Sequence, residues 1–470
     1  MNCCGPNRRR VLAALATAAA APLAAAAGSA RAQPNSLIAT DLEVVTVTDT
    51  SAVLTWTSLG PGPSGTPVPV PAESEIRLAP ADSAGPLRTV PIADSARTPY
   101  HYAQIEGLEP GRRYRFEASA DGVRATPAAN AVTRMSGAPE ITGEFRTLVP
   151  PPGRLLRTIA LCNDIHLGEE VSGLVAAGQP PGVRQEPGLL PYPEVMLGAL
   201  LDDLRRPDRE AGPLVVAGDL TAEATPAQAR RVRSLLDHWG VAGRDWFAAR
   251  GNHDRPHLGA DYRDCPEAAA GHRDCWGESF MPPGQLTEYR TGGLRVIGVD
   301  TTRLDGSGGS IGADQFDRLR AALRADPERP TLVFGHHPVT TESAVSNLSG
   351  PDFVLNRQDA MALQRLYGSA PGVFFHHAGH THRNRRTRPD IPLDVEFLEV
   401  GAVKEYPGGY CELRLYEGGY MVNFRKTRTP DARRWSTRSR AEYLGLIPEY
   451  TLGTIADRNH VVTRDLSGIS

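Results

Sequence analysis

The stretch RGNHDRPH, residues 250–257, sets Asn252, His253 and Asp254 side by side directly after Gly251. It follows the apolar run DWFAA, so three side chains able to hold a cation or move a proton stand at the end of a buried strand. The same punctuation recurs. LCNDIHLG offers Asp164 and His166, VVAGDL offers Asp219, VFGHHP offers His336 and His337, and HHAGHTH offers His380 and His382. Any one of these is weak, because Asp commonly caps a turn after a strand and a buried histidine is commonly a core residue. Five such endings in one chain point to a shared site at carboxyl ends of strands, where α/β sheets collect their ligands.

The surrounding pattern fits that reading. Short apolar runs (LLRTIALC, GPLVVA, LRVIGV, PTLVFG, PGVFFHH) alternate with helix-like stretches such as YPEVMLGALLDDLRR, TPAQARRVRSLLDHW and ADQFDRLRAALRAD. That alternation predicts an α/β domain over 155–428, with strands covered on both faces. Residues 393–428 turn back to consecutive strands joined by Gly-Gly hairpins. The segment 429–470 carries no readable role.

In the order D-x-H, G-D, G-N-H-D, G-H-x-P and G-H-x-H, the five motifs resemble the calcineurin-like metallophosphoesterase family over about 155–405. The resemblance implies an α/β/β/α sandwich with two metal ions at the sheet ends. Carried over by position, Asp164, His166 and His382 would hold one ion and Asn252, His336 and His380 the other, with Asp219 bridging. His253 would face the leaving-group oxygen and Asp254 would orient its ring. Two cations about 3.5–4 Å apart clamp phosphoryl oxygens and make hydroxide available near neutral pH. The mixed imidazole, carboxylate and amide set suits Mn, Fe or Zn better than Mg or Ca. The expected reaction is hydrolysis of a small phosphoester, a phosphodiester and also a monoester. Purple acid phosphatases place a metal-binding Tyr three residues after the bridging Asp, where this chain has Ala222. With His166 present, the catalytic half looks closer to the D-x-H phosphodiesterases. The competing reading is a scaffold that keeps the fold without catalysis, which a missing ligand would favour; all seven ligands and His253 are present.

Upstream, residues 36–147 read as all-β. LEVVTVTDTSAVLTWTS alternates, and IEGLEPGRRYRFEASADG sets a Leu and a Pro-Gly turn before Tyr114, the pattern of a tyrosine corner. With Trp56 as a core aromatic, the region resembles a fibronectin type III-like, immunoglobulin-like sandwich. The proline-rich stretch 148–154 marks the boundary. Residues 1–32 carry Arg8, Arg9 and Arg10, an Ala-rich apolar stretch and Ala30-Arg31-Ala32, which reads as a twin-arginine signal peptide cut before Gln33. Export to an extracellular, cell-wall or periplasmic location is therefore expected, without stable membrane insertion. Losing that segment removes four arginines and no acid, taking the formal charge from -3 to -7 and disfavouring nucleic acid as a partner.

Of six cysteines, Cys265 and Cys275 share one polar loop and are expected to bridge in an oxidising compartment; Cys162 and Cys411 read as core. His376 and His377 read as packing residues, while His337 reads equally as a substrate contact or as turned away. Arg250, Arg255 and His257 read as exposed loop charge, with phosphate binding as the alternative. The run 382–388 reads as a solvated basic loop and His460 as a surface histidine. Natural substrate and oligomeric state have no signature in the sequence.

Overall fold

Several strands of the catalytic half carry consecutive apolar residues with no polar alternation, and the structure shows why. In the strand Leu155–Cys162, Ile159 and Leu161 point into one core while Ala160 and Cys162 point into another. Leu214–Ala217 and Trp246–Ala249 divide their side chains the same way. Because side chains alternate across a strand, a strand buried on both faces has no polar face to show. This is a computed structural model that describes residues 37–93, 96–128, 137–173, 182–209, 211–255, 274–303, 306–442 and 448–469. Residues 1–36, including the expected signal peptide, lie outside the described residues, as do Cys265 and His257.

The inner core lies between two six-stranded sheets. One runs Trp246–Ala249, Leu214–Ala217, Leu155–Cys162, Gly409–Tyr416, Gly419–Lys426, Asn459–Thr463; its first three strands are parallel and the rest antiparallel. The other centres on the parallel strands Leu294–Val299, Thr331–Gly335, Val373–Ala378 and Glu396–Glu399. Helices Tyr192–Leu204 and Pro226–Trp239 cover the first sheet. Helices Ala313–Ala325 and Arg357–Gly368 cover the second, making the expected α/β/β/α sandwich. Helix starts are locally encoded: Thr225 caps Gln228 N ahead of Pro226, and Thr429 caps Ala432 N ahead of Pro430.

The segment after residue 428 gains a role the sequence did not disclose. Pro430–Ser439 is a helix, and Asn459–Thr463 is the edge strand paired with Gly419–Lys426. His460 is correspondingly buried and paired with Glu396 at 2.5 Å, so the expected surface histidine is corrected.

The N-terminal region forms two facing sheets, one built on Ile38–Val47, Ala52–Pro61 and Tyr100–Ile105, the other on Ser74–Pro80 and Arg113–Ala120. Trp56, Leu54, Ile76, Tyr114 and Phe116 fill the space between them. Tyr114 Oη accepts from Glu109 N at 2.9 Å, which pins the turn before its strand. This sandwich is fixed to the catalytic half. Val45 enters the inter-sheet core, Asn423 donates to Val47 O at 2.8 Å, and Arg458 donates to Val44 O at 2.7 Å. Glu43 is buried against Lys426, Arg440 and Tyr406. Burial alone would raise its carboxyl; the two cations and the hydrogen bonds bring it down to about 2. No helix among the described residues is long and apolar enough to cross a membrane.

Candidate metal centre

Three of the five motifs follow adjacent parallel strands of the first sheet and two follow adjacent parallel strands of the second, so their turns open on one side. The turns are sharp. Asp164, His166, Asp219, His380 and His382 all have positive φ, between 47° and 69°. Such backbone costs on the order of 1–3 kcal/mol per residue and persists where its surroundings over-determine it. Close approach of the turns explains the glycines in the motifs. A Cβ on Gly251 would lie 2.1 Å from Asp219 Oδ1, and one on Gly218 would lie 2.7 Å from His336 Nδ1.

The sequence-predicted ligands converge. Asp219 Oδ2 lies 3.3 Å from His166 Nε2 and 3.1 Å from His336 Nε2, between two groups of donors. On one side, Asp164 Oδ1 is 3.2 Å from His382 Nε2 and 3.7 Å from His166 Nε2. On the other, His336 Nε2 is 3.0 Å from both Asn252 Oδ1 and His380 Nδ1. His336 Nδ1 must donate to Ala217 O at 2.9 Å, so its Nε2 offers a lone pair to atoms that are themselves lone-pair donors. Asp164 Oδ2 is occupied by Asn163 Nδ2 and His380 N, which leaves Oδ1 for the cluster. Buried Asp164 Oδ1 and His166 Nε2 have no hydrogen-bond partner among the described residues. Lone pairs pointed at one another need a positive charge between them, so these residues fit two cations with Asp219 shared.

Protons take that part when no cation is bound. Burial opposes charge at His382, yet Asp164 and Glu405 raise its imidazole to about 9. Burial likewise opposes charge on Asp164 and Asp219, and the facing imidazoles still hold both well below the usual carboxylate range. Metal binding must displace those protons.

His253 is half-buried beside the cluster, its ring 4.5 Å from that of His166. Its Nδ1 donates to Ala222 O at 2.8 Å, so Nε2 is the nitrogen left for chemistry. The expected role of Asp254 is corrected here. Among the described residues its carboxylate accepts from Leu220 N, Thr221 N, Thr221 Oγ1 and Gly251 N at 2.7–3.0 Å, and the Ala222 carbonyl orients the His253 ring. Asp254 therefore buckles the Asp219 turn to the Asn252 turn. Asp254→Ala is expected to lower stability by on the order of 3 kcal/mol, since buried donors lose their acceptor; a denaturant titration checks this.

Other expectations resolve by burial. His337 packs against His336 and His380, but its nitrogens are taken by Thr301 Oγ1 at 2.8 Å and by Ser307 O, so it offers the cluster no ligand atom. His376 bonds Tyr367 and His377 bonds Cys162 O, as packing residues do. Arg250 is not exposed loop charge: it is buried on Trp276 and holds Asp274 with both Nη atoms. Arg255 reaches Thr302. The run after His382 is likewise no solvated loop, since Arg383 is buried against Glu399 and Arg385–Thr387 is a strand. Cys162 and Cys411 are buried thiols, and Cys275 is in a disulfide.

Sequence reasoning missed the groups behind the ligands. His166 Nδ1 faces Glu169 Oε2 at 3.0 Å and His382 Nδ1 faces Glu405 Oε1 at 2.6 Å. Phe353 stacks on His380 with centroids 3.7 Å apart. Glu169 had a signal, a carboxylate three residues after His166; Glu405 and Phe353 had none.

Residues 157–384 match the model of the calcineurin-like phosphoesterase family. Among solved structures, a purple acid phosphatase, PPD1, from yellow lupin (Lupinus luteus) is 15% identical, with 93% of this chain and 76% of that chain covered and a TM-score of 0.40. A dimetal phosphatase from Danio rerio is also 15% identical, over 58% of this chain and 98% of that one, at TM-score 0.40. A PhoD structure is 10% identical over 90% and 88%, at TM-score 0.38. No curated protein matches the chain.

Proposed function

We propose, from the premise that residues 157–384 are a calcineurin-like phosphoesterase domain and hence a metal-dependent phosphoester hydrolase, that the chain cleaves phosphodiesters and also accepts phosphomonoesters. The observation that carries the reading is Asp219 Oδ2 set between His166 and His336, with the unpartnered Asp164 Oδ1 and His166 Nε2 on one side and His336 Nε2, Asn252 Oδ1 and His380 Nδ1 crowded together on the other. Mn, Fe or Zn ions held there would act as Lewis acids on the phosphoryl oxygens and supply a nucleophilic hydroxide. The chain's own residues do the rest. Asp164, His166 and His382 hold one side, Asn252, His336 and His380 the other, and His253 Nε2 gives a proton to the departing oxygen.

Three finer readings belong to the same proposal. A D-x-H phosphodiesterase-like branch is supported by His166 facing Asp219 and by Ala222 lending its carbonyl to His253. A fibronectin type III-like character for the N-terminal sandwich is supported by the Tyr114 bond to Glu109 N. Export by the twin-arginine route is supported by Arg8, Arg9 and Arg10 and the Ala30-Arg31-Ala32 site.

Chelation followed by add-back tests the reaction class. Hydrolysis of bis-p-nitrophenyl phosphate and p-nitrophenyl phosphate should vanish after chelation and return with Mn, Fe or Zn. Undiminished turnover in metal-free protein would overturn the proposal, and a faster rate on the monoester would overturn the diester preference.

A further inference from the structure

We propose that Glu169 and Glu405, tied together by Lys404, are positioning residues that make the Asp164–His166–His382 site the tighter of the two cation sites. The inference rests on the two-cation reading above and goes on to rank the sites.

The two groups of ligands are backed differently. Each imidazole of the first has a carboxylate on its far nitrogen, Glu169 behind His166 at 3.0 Å and Glu405 behind His382 at 2.6 Å. In the second, among the described residues, His336 is backed by the neutral Ala217 carbonyl, His380 Nε2 faces no carboxylate, and Asn252 is uncharged. A carboxylate behind a ligating imidazole fixes the ring, fixes its tautomer and raises its basicity. Asp219 serves both sides, so the difference lies in Asp164 and the two backing carboxylates.

The backing pair is built as one unit. Lys404 Nζ lies 2.5 Å from Glu169 Oε1 and 3.1 Å from Glu405 Oε2. Ser172 Oγ donates to Glu405 Oε2 at 2.5 Å, and Tyr192 Oη donates to Glu169 Oε1 at 2.5 Å. Lys404 neutralises one of the two charges, which is what allows both carboxylates to be buried together. Its backbone N–H also bonds Asp164 O at 3.2 Å, and Val403 N bonds Asn163 O at 3.1 Å, so the clamp is fastened to the turn carrying the first ligand. The residue after Glu405 is Tyr406, whose hydroxyl donates to Glu43 at 2.7 Å. The N-terminal sandwich thus braces the clamp from behind.

Cobalt(II) titration of the chelator-stripped full chain tests this, followed by calorimetry and by visible absorption. The unaltered chain should take up two ions. Glu405→Gln should weaken one of them by about 10- to 100-fold and alter the absorption of that ion, leaving the other unchanged. Asn252→Ala should weaken the opposite ion, which assigns the sites. Glu169→Gln should weaken the same ion as Glu405→Gln and supplies the result should the latter not fold. If both carboxylate variants bind two ions as tightly as the unaltered chain, or weaken both equally, the clamp proposal fails while the two-cation reading stands. An unaltered chain that binds no cobalt removes both.

Discussion

An Asp219→Ala variant is expected to lose both cation sites together, and with them at least about a thousandfold in kcat/KM. The magnitude follows from the charge stabilisation two cations provide, several kcal/mol, at roughly 1.4 kcal/mol per factor of ten. No other ligand has this leverage, because only Asp219 places one oxygen within 3.3 Å of an imidazole from each group. Its second oxygen accepts from His253 N at 2.9 Å, so the same carboxylate also fixes the turn that carries the proposed proton donor. Elemental analysis alongside phosphodiester hydrolysis checks the result. A variant that keeps two ions and full turnover would mean Asp219 does not bridge.

His253→Ala is expected to lose about a hundred- to ten-thousandfold in kcat while its metal content stays unchanged. The Ala222 carbonyl keeps a proton on Nδ1, so the transferable proton is the one on Nε2. Burial pushes the imidazolium down to about 4, partly offset by Asp219, so the ring is neutral near pH 7 before substrate arrives. An anionic phosphoester favours the protonated form, which is the donor. That form is populated below its pKa in the substrate complex, so the unaltered chain should lose kcat as pH rises through the pKa of that complex, and the variant should lack this limb. Esters with a poor leaving group should suffer more than p-nitrophenyl esters, whose departing oxygen needs little protonation. Equal activity of the variant on an alkyl ester would contradict the proton-donor role.

The candidate metal-holding residues were legible because each sits within a few residues of a strand end. Strand, turn glycine and ligand are written consecutively, as in Gly251-Asn252-His253-Asp254, and local chemistry suffices to read them. The two-sided burial of the strands was legible for the same reason. What a polar side chain does once folded was not. Arg250, Arg383 and His460 resembled surface charge until Asp274, Glu399 and Glu396 were brought against them. Asp254, beside His253 in sequence, instead serves the Leu220 and Thr221 amides, because Gly251 lets the two turns close on each other.

The sequence by itself determined the candidate ligands at the strand ends, the alternation of strands with helices, and the separate β-rich N-terminal region. The tertiary structure alone decided that Glu405 backs His382, that the final strand closes the first sheet, and that the sandwich is locked to the catalytic half through Glu43. The division has one cause. Periodicity and turn chemistry are short-range and leave a local trace, whereas a buried charge is stable only beside its counter-charge. In this chain several of those counter-charges come from segments far apart in sequence, as Lys426 does for Glu43.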